Sequence, residues 1–157
     1  MTKELTNEEH IERCSKIFDH IQNVQEFCFK LAVELIKDSQ QRLARQLLKR
    51  ALSHDLSKFS DLEYYGMYSE DKAIKDLAIN NHRSLNPHHI DYHVNLLDMQ
   101  EVDLAEMACD LRARSVEFGS SVKDYVKDFI EFRKISPNSK FYKSVTKYLN
   151  MIIEDKF

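Results

Sequence analysis

Residues that break helices or form tight turns are scarce in this chain. Its 157 residues include two glycines, two prolines and no tryptophan. Glycine and proline supply the backbone angles on which most tight turns depend. Their shortage argues against a fold with many turns and favours long helices with short connections.

Cysteine is also sparse, with Cys14, Cys28 and Cys109 odd in number and far apart. Their spacing matches neither a zinc knuckle nor a disulfide framework. We therefore expect reduced core thiols in an intracellular protein.

Long apolar runs and a basic excess are both missing. No run approaches the roughly 18 residues of a membrane span, and the initial stretch MTKELTNEEH is too acidic and polar for a signal peptide. The net charge of −3 provides no basic field. Neither nucleic acid nor a membrane is expected as a partner, and a cytoplasmic location is expected.

The residues that are present predict an all-α fold, in which residues 1–157 form one domain, an irregular bundle of six or seven helices. Thr6 and Glu9 form a capping-box pattern, Asn86 and Pro87 suggest a helix start, and Gly119 suggests a helix end. The predicted helices extend from this capping box to about 37, then over about 39–58, 70–82, 86–99, 101–118, 120 or 121 to 134, and 139–154.

The stretch ALSHDLSKFS, at the end of the second predicted helix, places ionisable residues on an apolar face. At about 100° per residue, His54, Asp55 and Lys58 share a broad arc with Leu43, Ala44, Leu47 and Ala51. Charged groups that face a core must be paired or hold a metal ion. The alternative is that the helix frays after Leu52 and leaves the three side chains exposed.

Two other helices carry polar residues among apolar ones. His20 lies on a stripe with Val24 and Leu31, where it is either a metal ligand or a core histidine bonded to a backbone carbonyl. Asp110 and Arg114 belong to a narrow polar stripe on an otherwise apolar helix. That stripe either faces inward or is an ordinary solvated face, and Arg114 could orient Asp110 or meet an anionic substrate.

The segment NNHRSLNPHHIDYH holds four of the seven histidines. His82 ends one predicted helix, and His88 and His89 fall in the first turn of the next. A helix N-terminus disfavours protonated imidazole, which suits neutral, metal-binding histidines. We expect His82 and one of His88 or His89 to be ligands, and His93 and His10 to be incidental surface residues.

The order of these candidates resembles that of the HD-domain phosphohydrolases, with His20, the His54–Asp55 pair and Asp110 in the positions H…HD…D. The segment HDLSKF is similar to the His-Asp-x-Gly-Lys stretch of the cyclic-dinucleotide phosphodiesterase branch. The segments HIQNV, HDLSKF, NPHHIDY and EMACDLRARS resemble a family of small, largely uncharacterised HD-like proteins of phages and bacteria. The resemblance covers about residues 18–125.

This resemblance implies an HD-like hydrolase that acts on a nucleotide, a cyclic nucleotide or a related phosphoester through a metal-activated water. It implies one or two divalent ions (Mn, Fe, Co, Zn or Mg). The implied ligands are His20, His54, Asp55 and Asp110 for one ion, and His82 with His88 or His89 for a second, with Asp55 as a bridge.

The resemblance also assigns the remaining roles. Asp55 and Lys58 would be catalytic, Lys58 would face the scissile phosphate, and Arg112 and Arg114 would contact substrate phosphate. The expected partner is a small phosphorylated substrate, and the protein would be a monomer or a homodimer. A phage-encoded chain would work in the host cytoplasm.

Two departures leave the substrate open. Lys58 stands where the small deoxynucleotidases carry a catalytic glutamate, and Ser57 stands where the cyclic-dinucleotide branch has glycine. The alternatives are a metal- or nucleotide-binding protein that sequesters its ligand with little turnover, and a helical interaction protein. The last would use the basic stripe of Arg42, Arg45 and Lys49.

Overall fold

The computed structural model describes residues 4–157, and helices are the only regular structure in that range. The predicted all-α fold is confirmed, with seven α-helices in one domain among these residues. The helices are α1 (Asn7–Lys37), α2 (Gln41–Ala51), α3 (Asp61–Gly66), α4 (Lys72–Leu85), α5 (Glu101–Glu117), α6 (Val122–Phe132) and α7 (Lys140–Ile152).

The longest helix, α1, begins at the predicted capping box. The backbone N–H of Glu9 donates to Thr6 Oγ1 at 3.2 Å, and the N–H of Thr6 donates to Glu9 Oε2 at 2.8 Å. Two N–H groups that the helix itself leaves unpaired are thereby satisfied. Neither α1 nor any other helix in residues 4–157 combines the length and the apolar character needed to cross a membrane.

The centre of the bundle is α5, which contacts α1, α2, α6 and α7. Leu104, Ala108 and Leu111 are buried on this helix, against core residues such as Leu31 of α1 and Leu47 of α2. Because partners surround α5, its side chains Asp103, Glu106 and Asp110 are buried as well, whereas Glu117 at its end is exposed. The part of the predicted polar stripe that includes Asp110 faces inward.

The second predicted helix was expected to continue to Lys58, and this boundary is wrong. The α-helical conformation ends at Ala51, and a short 3-10 turn follows over Leu56–Phe59. Between them Asp55 has a φ of 56° in the left-handed region, where an α-helix cannot continue. His54 and Asp55 therefore lie in a turn and not on a helix face.

The predicted helix over residues 86–99 is also wrong. Only two 3-10 turns, Ile90–Tyr92 and Leu96–Asp98, form there. The residue before a proline is driven toward extended angles, and Asn86 accordingly has φ −110° and ψ 112°. Its side-chain amide donates to the carbonyl of His82 at 2.7 Å, so Asn86 closes α4 and does not open a new helix.

The short helix α3 was not predicted, whereas the later boundaries agree closely with prediction. Gly66 ends α3 where a Cβ would lie 2.7 Å from Ala78 Cβ, so only glycine allows α3 to approach α4 this closely. Gly119, at a φ of 65°, follows the end of α5, and the hydroxyl of Ser121 accepts from the backbone N–H of Asp124 to cap α6. Both features were predicted.

Candidate metal centre

The turn after α2 directs two adjacent side chains to one point. In a regular helix, neighbouring side chains diverge by about 100°. The left-handed conformation of Asp55 removes this divergence, and aspartate is among the residues that tolerate it. His54 and Asp55 are each 1% exposed. Charged and polar groups buried to this degree require partners.

Four histidines surround the Asp55 carboxylate with their Nε2 atoms. His20 and His54 lie 3.3 Å and 3.5 Å from its Oδ2 atom. His82 and His88 lie 3.4 Å and 3.5 Å from Oδ1. The four rings come from α1, the turn after α2, α4 and the irregular segment after α4. Folding therefore assembles at one carboxylate the candidates that the sequence holds far apart.

Asp110 adds a second carboxylate from α5. Its Oδ1 lies 3.2 Å from His20 Nε2, and its Oδ2 lies 3.5 Å from His88 Nε2. Within the described residues, three buried or nearly buried groups have ligand atoms within 4.8 Å of one another and could hold a metal ion. The groups are His20, His54 and Asp110; Asp55, His82, His88 and His89; and His54, His88 and Glu106.

Each of these four histidines faces a further carboxylate with its Nδ1 atom. The pairs are His20 with Glu117 at 2.8 Å, His54 with Glu106 at 2.9 Å, His82 with Glu63 at 2.9 Å, and His88 with Glu106 at 3.3 Å. An ionised carboxylate only accepts hydrogen bonds, so Nδ1 of His20, His54 and His82 carries the hydrogen, and a neutral ring keeps its lone pair on Nε2. This is how proteins orient histidines toward a metal ion.

Several buried polar atoms at this point have no hydrogen-bond partner among the described residues. They are Nε2 of His20, His54 and His88, Nδ1 of His88, Oδ1 of Asp55 and Oδ1 of Asp110. An unsatisfied buried polar group costs about 1–3 kcal/mol, so a cluster of them requires a ligand in common. Imidazole nitrogens and carboxylate oxygens are ordinary ligands of a divalent transition metal. The donor set therefore fits a metal ion.

Nearby carboxylates raise the pKa of two of the histidines. Burial alone would lower the pKa of His20, but the neighbouring carboxylates of Asp110, Asp55 and Glu117 raise it to about 10. Neighbouring carboxylates raise the pKa of His88 to about 10 in the same way. Near neutral pH, two imidazolium rings thus supply the positive charge that a metal ion would bring.

The carboxylates are ionised despite their burial. Burial alone would raise the pKa of Asp55, but the charges of His54 and Lys58 and the nearby His20 ring hold it well below its ordinary value. The nearby rings of His20 and His88 lower the pKa of Asp110 in the same manner. Both groups remain acceptor-only oxygen ligands across the physiological pH range.

His82 and His89 form the other side of the centre. Their Nε2 atoms lie 3.0 Å apart. Burial lowers the pKa of both rings, and with the nearby charge of His88 it brings the pKa of His89 to about 2. These two rings are neutral and available as ligands, and His88 and His89 both belong to the centre.

The three predicted phosphate-binding residues have different positions. Lys58 is buried and its Nζ lies 2.6 Å from Asp55 Oδ2. Arg114 lies beside the centre, with Nε 4.0 Å from Asp110 Oδ1. Arg112 does not reach the site, because its guanidinium packs over the ring of Phe27 at 5.3 Å.

A cleft of about 820 Å³ leads to the centre, and its lining includes Asp55, His82, His89 and Asp110. Cationic and aromatic side chains form much of the remaining lining. The cations are Lys16, Lys58, Arg83, Arg114 and Arg133, and the aromatics are Tyr68, Phe118, Tyr125, Phe129 and Phe132. The lining also includes the carboxylates Asp19, Glu63, Asp91 and Glu117, so the cleft offers contacts for an apolar or planar group and for an anionic group that accompanies a bound cation.

The carboxylates behind the histidines were not predicted from the sequence. Glu106 and Glu117 lie on the predicted polar stripe, and their spacing of four and seven residues from Asp110 was the available signal. Glu63 lies in the unpredicted α3 and offered no signal.

The expectation that His93 and His10 are incidental surface residues is wrong. His93 is part-buried and its Nε2 contacts the carbonyl oxygen of Pro87 at 2.7 Å. His10 Nδ1 lies 2.9 Å from the hydroxyl of Tyr64. Polar contacts of this kind cannot be deduced from helical periodicity, because they join separate segments.

The fold and the centre together define a class: an all-helical protein with a buried histidine–carboxylate site that could hold a metal ion. The chain belongs to a family of unknown function (DUF5662), whose model matches residues 9–155. The matched range includes every candidate metal ligand. No significant match is found among the curated proteins or the solved structures.

Proposed function

We propose that this protein is a metal-dependent phosphohydrolase acting on a nucleotide, a cyclic nucleotide or a related phosphoester. The observation that carries the proposal is the convergence of unpartnered histidine Nε2 atoms on Asp55, with a carboxylate behind each ring. Support also comes from the order His20, His54–Asp55, Asp110, because these residues, distant in sequence, meet at one point.

Two of the buried groups would hold the metal. His20, His54 and Asp110 form one, while Asp55 with His82, His88 and His89 forms the other. Asp55, a member of the second group, also lies close to His20 and His54 of the first group, so its carboxylate could contribute to both. When bound, one or two ions of Mn, Fe, Co, Zn or Mg would activate water and neutralise charge on the phosphate.

Residues of the chain would bind and orient the substrate. Lys58 and Arg114 both line the cleft, and the Arg114 guanidinium lies beside Asp110. Both side chains can donate hydrogen bonds to phosphate oxygens. Phe118 and Tyr125 stack with ring centroids 6.1 Å apart and present planar apolar surface. This surface favours a substrate with a ring system, such as a nucleotide, over a small phosphoester.

The test compares wild type with Asp55→Ala after purification without chelator. Metal content is measured, and hydrolysis of nucleotides and other phosphoesters is assayed with added Mn. The exposed Asp128→Ala, on α6, is the matched control. We expect metal and turnover in wild type and in the control, and loss of both in Asp55→Ala.

Two other outcomes would count against the proposal. Stoichiometric protection of a nucleotide with no product would favour the sequestering protein instead. A wild type that neither carries metal nor binds added Mn, Fe or Co would exclude a metal-dependent reaction.

A further inference from the structure

An arginine outside the centre contacts two buried carboxylates on α5. Arg50, near the end of α2, donates from Nη2 to Asp103 Oδ1 at 2.7 Å and from Nη1 to Glu106 Oε2 at 3.3 Å. The Asp103 and Glu106 side chains are 2% and 3% exposed. The planar guanidinium suits such a two-pronged contact, which the point charge of lysine cannot reproduce.

Glu106 transmits this contact to the centre. Its Oε2 atom receives Arg50, while its Oε1 atom lies 2.9 Å from His54 Nδ1 and 3.3 Å from His88 Nδ1. With one oxygen fixed by Arg50, the carboxylate cannot rotate away from the two rings. Glu106 thus holds His54 through a hydrogen bond and His88 through an ion-pair contact, so both rings depend on Arg50, which does not itself belong to the centre.

Asp103 extends the contact to the segment that carries His88 and His89. Its Oδ2 atom lies 3.6 Å from His93 Nε2, and that nitrogen contacts the carbonyl oxygen of Pro87 at 2.7 Å. This segment forms only short 3-10 turns, so helical hydrogen bonds do not fix it. The ion-pair contact between His93 and Asp103 places this segment against α5.

We propose that Arg50 is a positioning residue of the metal centre, which holds the Glu106 carboxylate against His54 and His88 and the Asp103 carboxylate beside His93. The inference rests on the proposed function only in requiring that the centre binds a metal ion. His20 and His82 have their own carboxylates, Glu117 and Glu63, so loss of Arg50 leaves part of the ligand set intact.

The test is a titration of metal-free protein with Co²⁺ or Mn²⁺. Arg50→Met keeps the aliphatic stem and removes both contacts. We expect affinity up to about 10-fold below wild type, because losing a direct partner of a ligand costs about 10- to 100-fold and Arg50 acts one contact further out. The affinity of Arg50→Lys should lie between those of wild type and Arg50→Met, since lysine keeps the charge but cannot make the two-pronged contact. The exposed Arg45→Met, on the same helix, should bind as wild type does.

The Co²⁺ absorption spectrum and the melting temperature of the metal-free protein separate positioning from a merely structural role. A positioning role changes the spectrum of Arg50→Met, because the directions of two ligands change. A purely structural role lowers the melting temperature but leaves affinity and spectrum as in wild type, and that result would overturn the inference.

Should Arg50→Met fail to fold, Arg50→Lys decides: weaker binding supports the inference, and wild-type binding overturns it. A wild type that binds no ion overturns the proposed function and this inference together. If wild type binds the ion and Arg50→Met binds it with the same affinity, the inference alone is overturned.

Discussion

The Nδ1 atom of His20 donates to Glu117 Oε1 at 2.8 Å and thereby joins the middle of α1 to the last residue of α5. The two residues are 97 positions apart in the sequence. The sequence left His20 as either a ligand or a core histidine bonded to a backbone carbonyl. The observed partner is a carboxylate, which strengthens imidazole as a metal ligand.

Glu117→Gln is therefore expected to weaken metal binding without removing a candidate ligand. The glutamine amide is nearly the same size as the glutamate carboxylate but carries no charge. The lone pair on His20 Nε2 therefore becomes a weaker ligand for the ion. We expect about a 10-fold loss of affinity for Mn²⁺ or Co²⁺ in a titration. The exposed Glu131→Gln, on α6, is the control, and equal affinities in the two variants would contradict the prediction.

Metal binding is expected to release protons. The pKa values of His20 and His88, about 10 without metal, keep both rings protonated near neutral pH, and an ion must displace these protons. Affinity should therefore rise with pH up to about 10, where these rings lose their protons without help from the ion. Calorimetry in buffers of different ionisation enthalpy should report up to about two protons per binding event. Identical heats in all buffers would contradict this.

The left-handed backbone at Asp55 predicts a difference between two variants that both lack the carboxylate. Glycine adopts a φ of 56° freely, whereas alanine meets steric resistance there. Asp55→Gly should be more stable than Asp55→Ala by about 1 kcal/mol in urea unfolding of the metal-free proteins. Neither variant should bind metal as wild type does. A more stable Asp55→Ala would mean that this turn is not left-handed in solution.

Two neighbouring arginines on α5 are expected to behave differently toward substrate. Arg114 lines the cleft, whereas Arg112 packs on Phe27 and does not reach it. Arg114→Ala should raise KM for a phosphoester about 10-fold or more, because a hydrogen bond to a charged group contributes about 1.5–3 kcal/mol. Arg112→Ala should leave KM unchanged. The comparison requires steady-state kinetics on a substrate found in the phosphoester screen.

Much of the helical framework could be predicted from local patterns. The capping box at Thr6 and Glu9, the glycine after α5 and the cap at Ser121 each depend on a few adjacent residues, and all three are present. The two wrong helix predictions, the continuation of the second helix to Lys58 and the helix over 86–99, occur where a single residue conflicts with the local pattern. Asp55 ends a helical pattern through its backbone angle, and Pro87 forces Asn86 out of the conformation expected of it.

The candidate ligands were proposed from local signals: an apolar stripe around His20, an adjacent His54–Asp55 pair after an apolar helix, and a histidine-rich segment. Their mutual arrangement was not, since the distances depend on how α1, α4 and α5 pack. Glu63 shows the limit most clearly: it is fully buried beside His82, yet it lies in a short helix with no preceding signal. Arg112 shows the converse. Its residue type and its place in the segment EMACDLRARS suggested a phosphate contact, but its guanidinium packs over Phe27.

The centre draws its members from residues between His20 and Glu117, so it exists only once the chain has folded. An unfolded chain would offer the same side chains as scattered, weak ligands, and free cation would therefore favour the native state by mass action. A cation at 100 times its dissociation constant would add about 2.7 kcal/mol to the free energy of unfolding. Chelation would then do more than stop turnover: it would shorten the lifetime of the protein wherever unfolded chains are degraded.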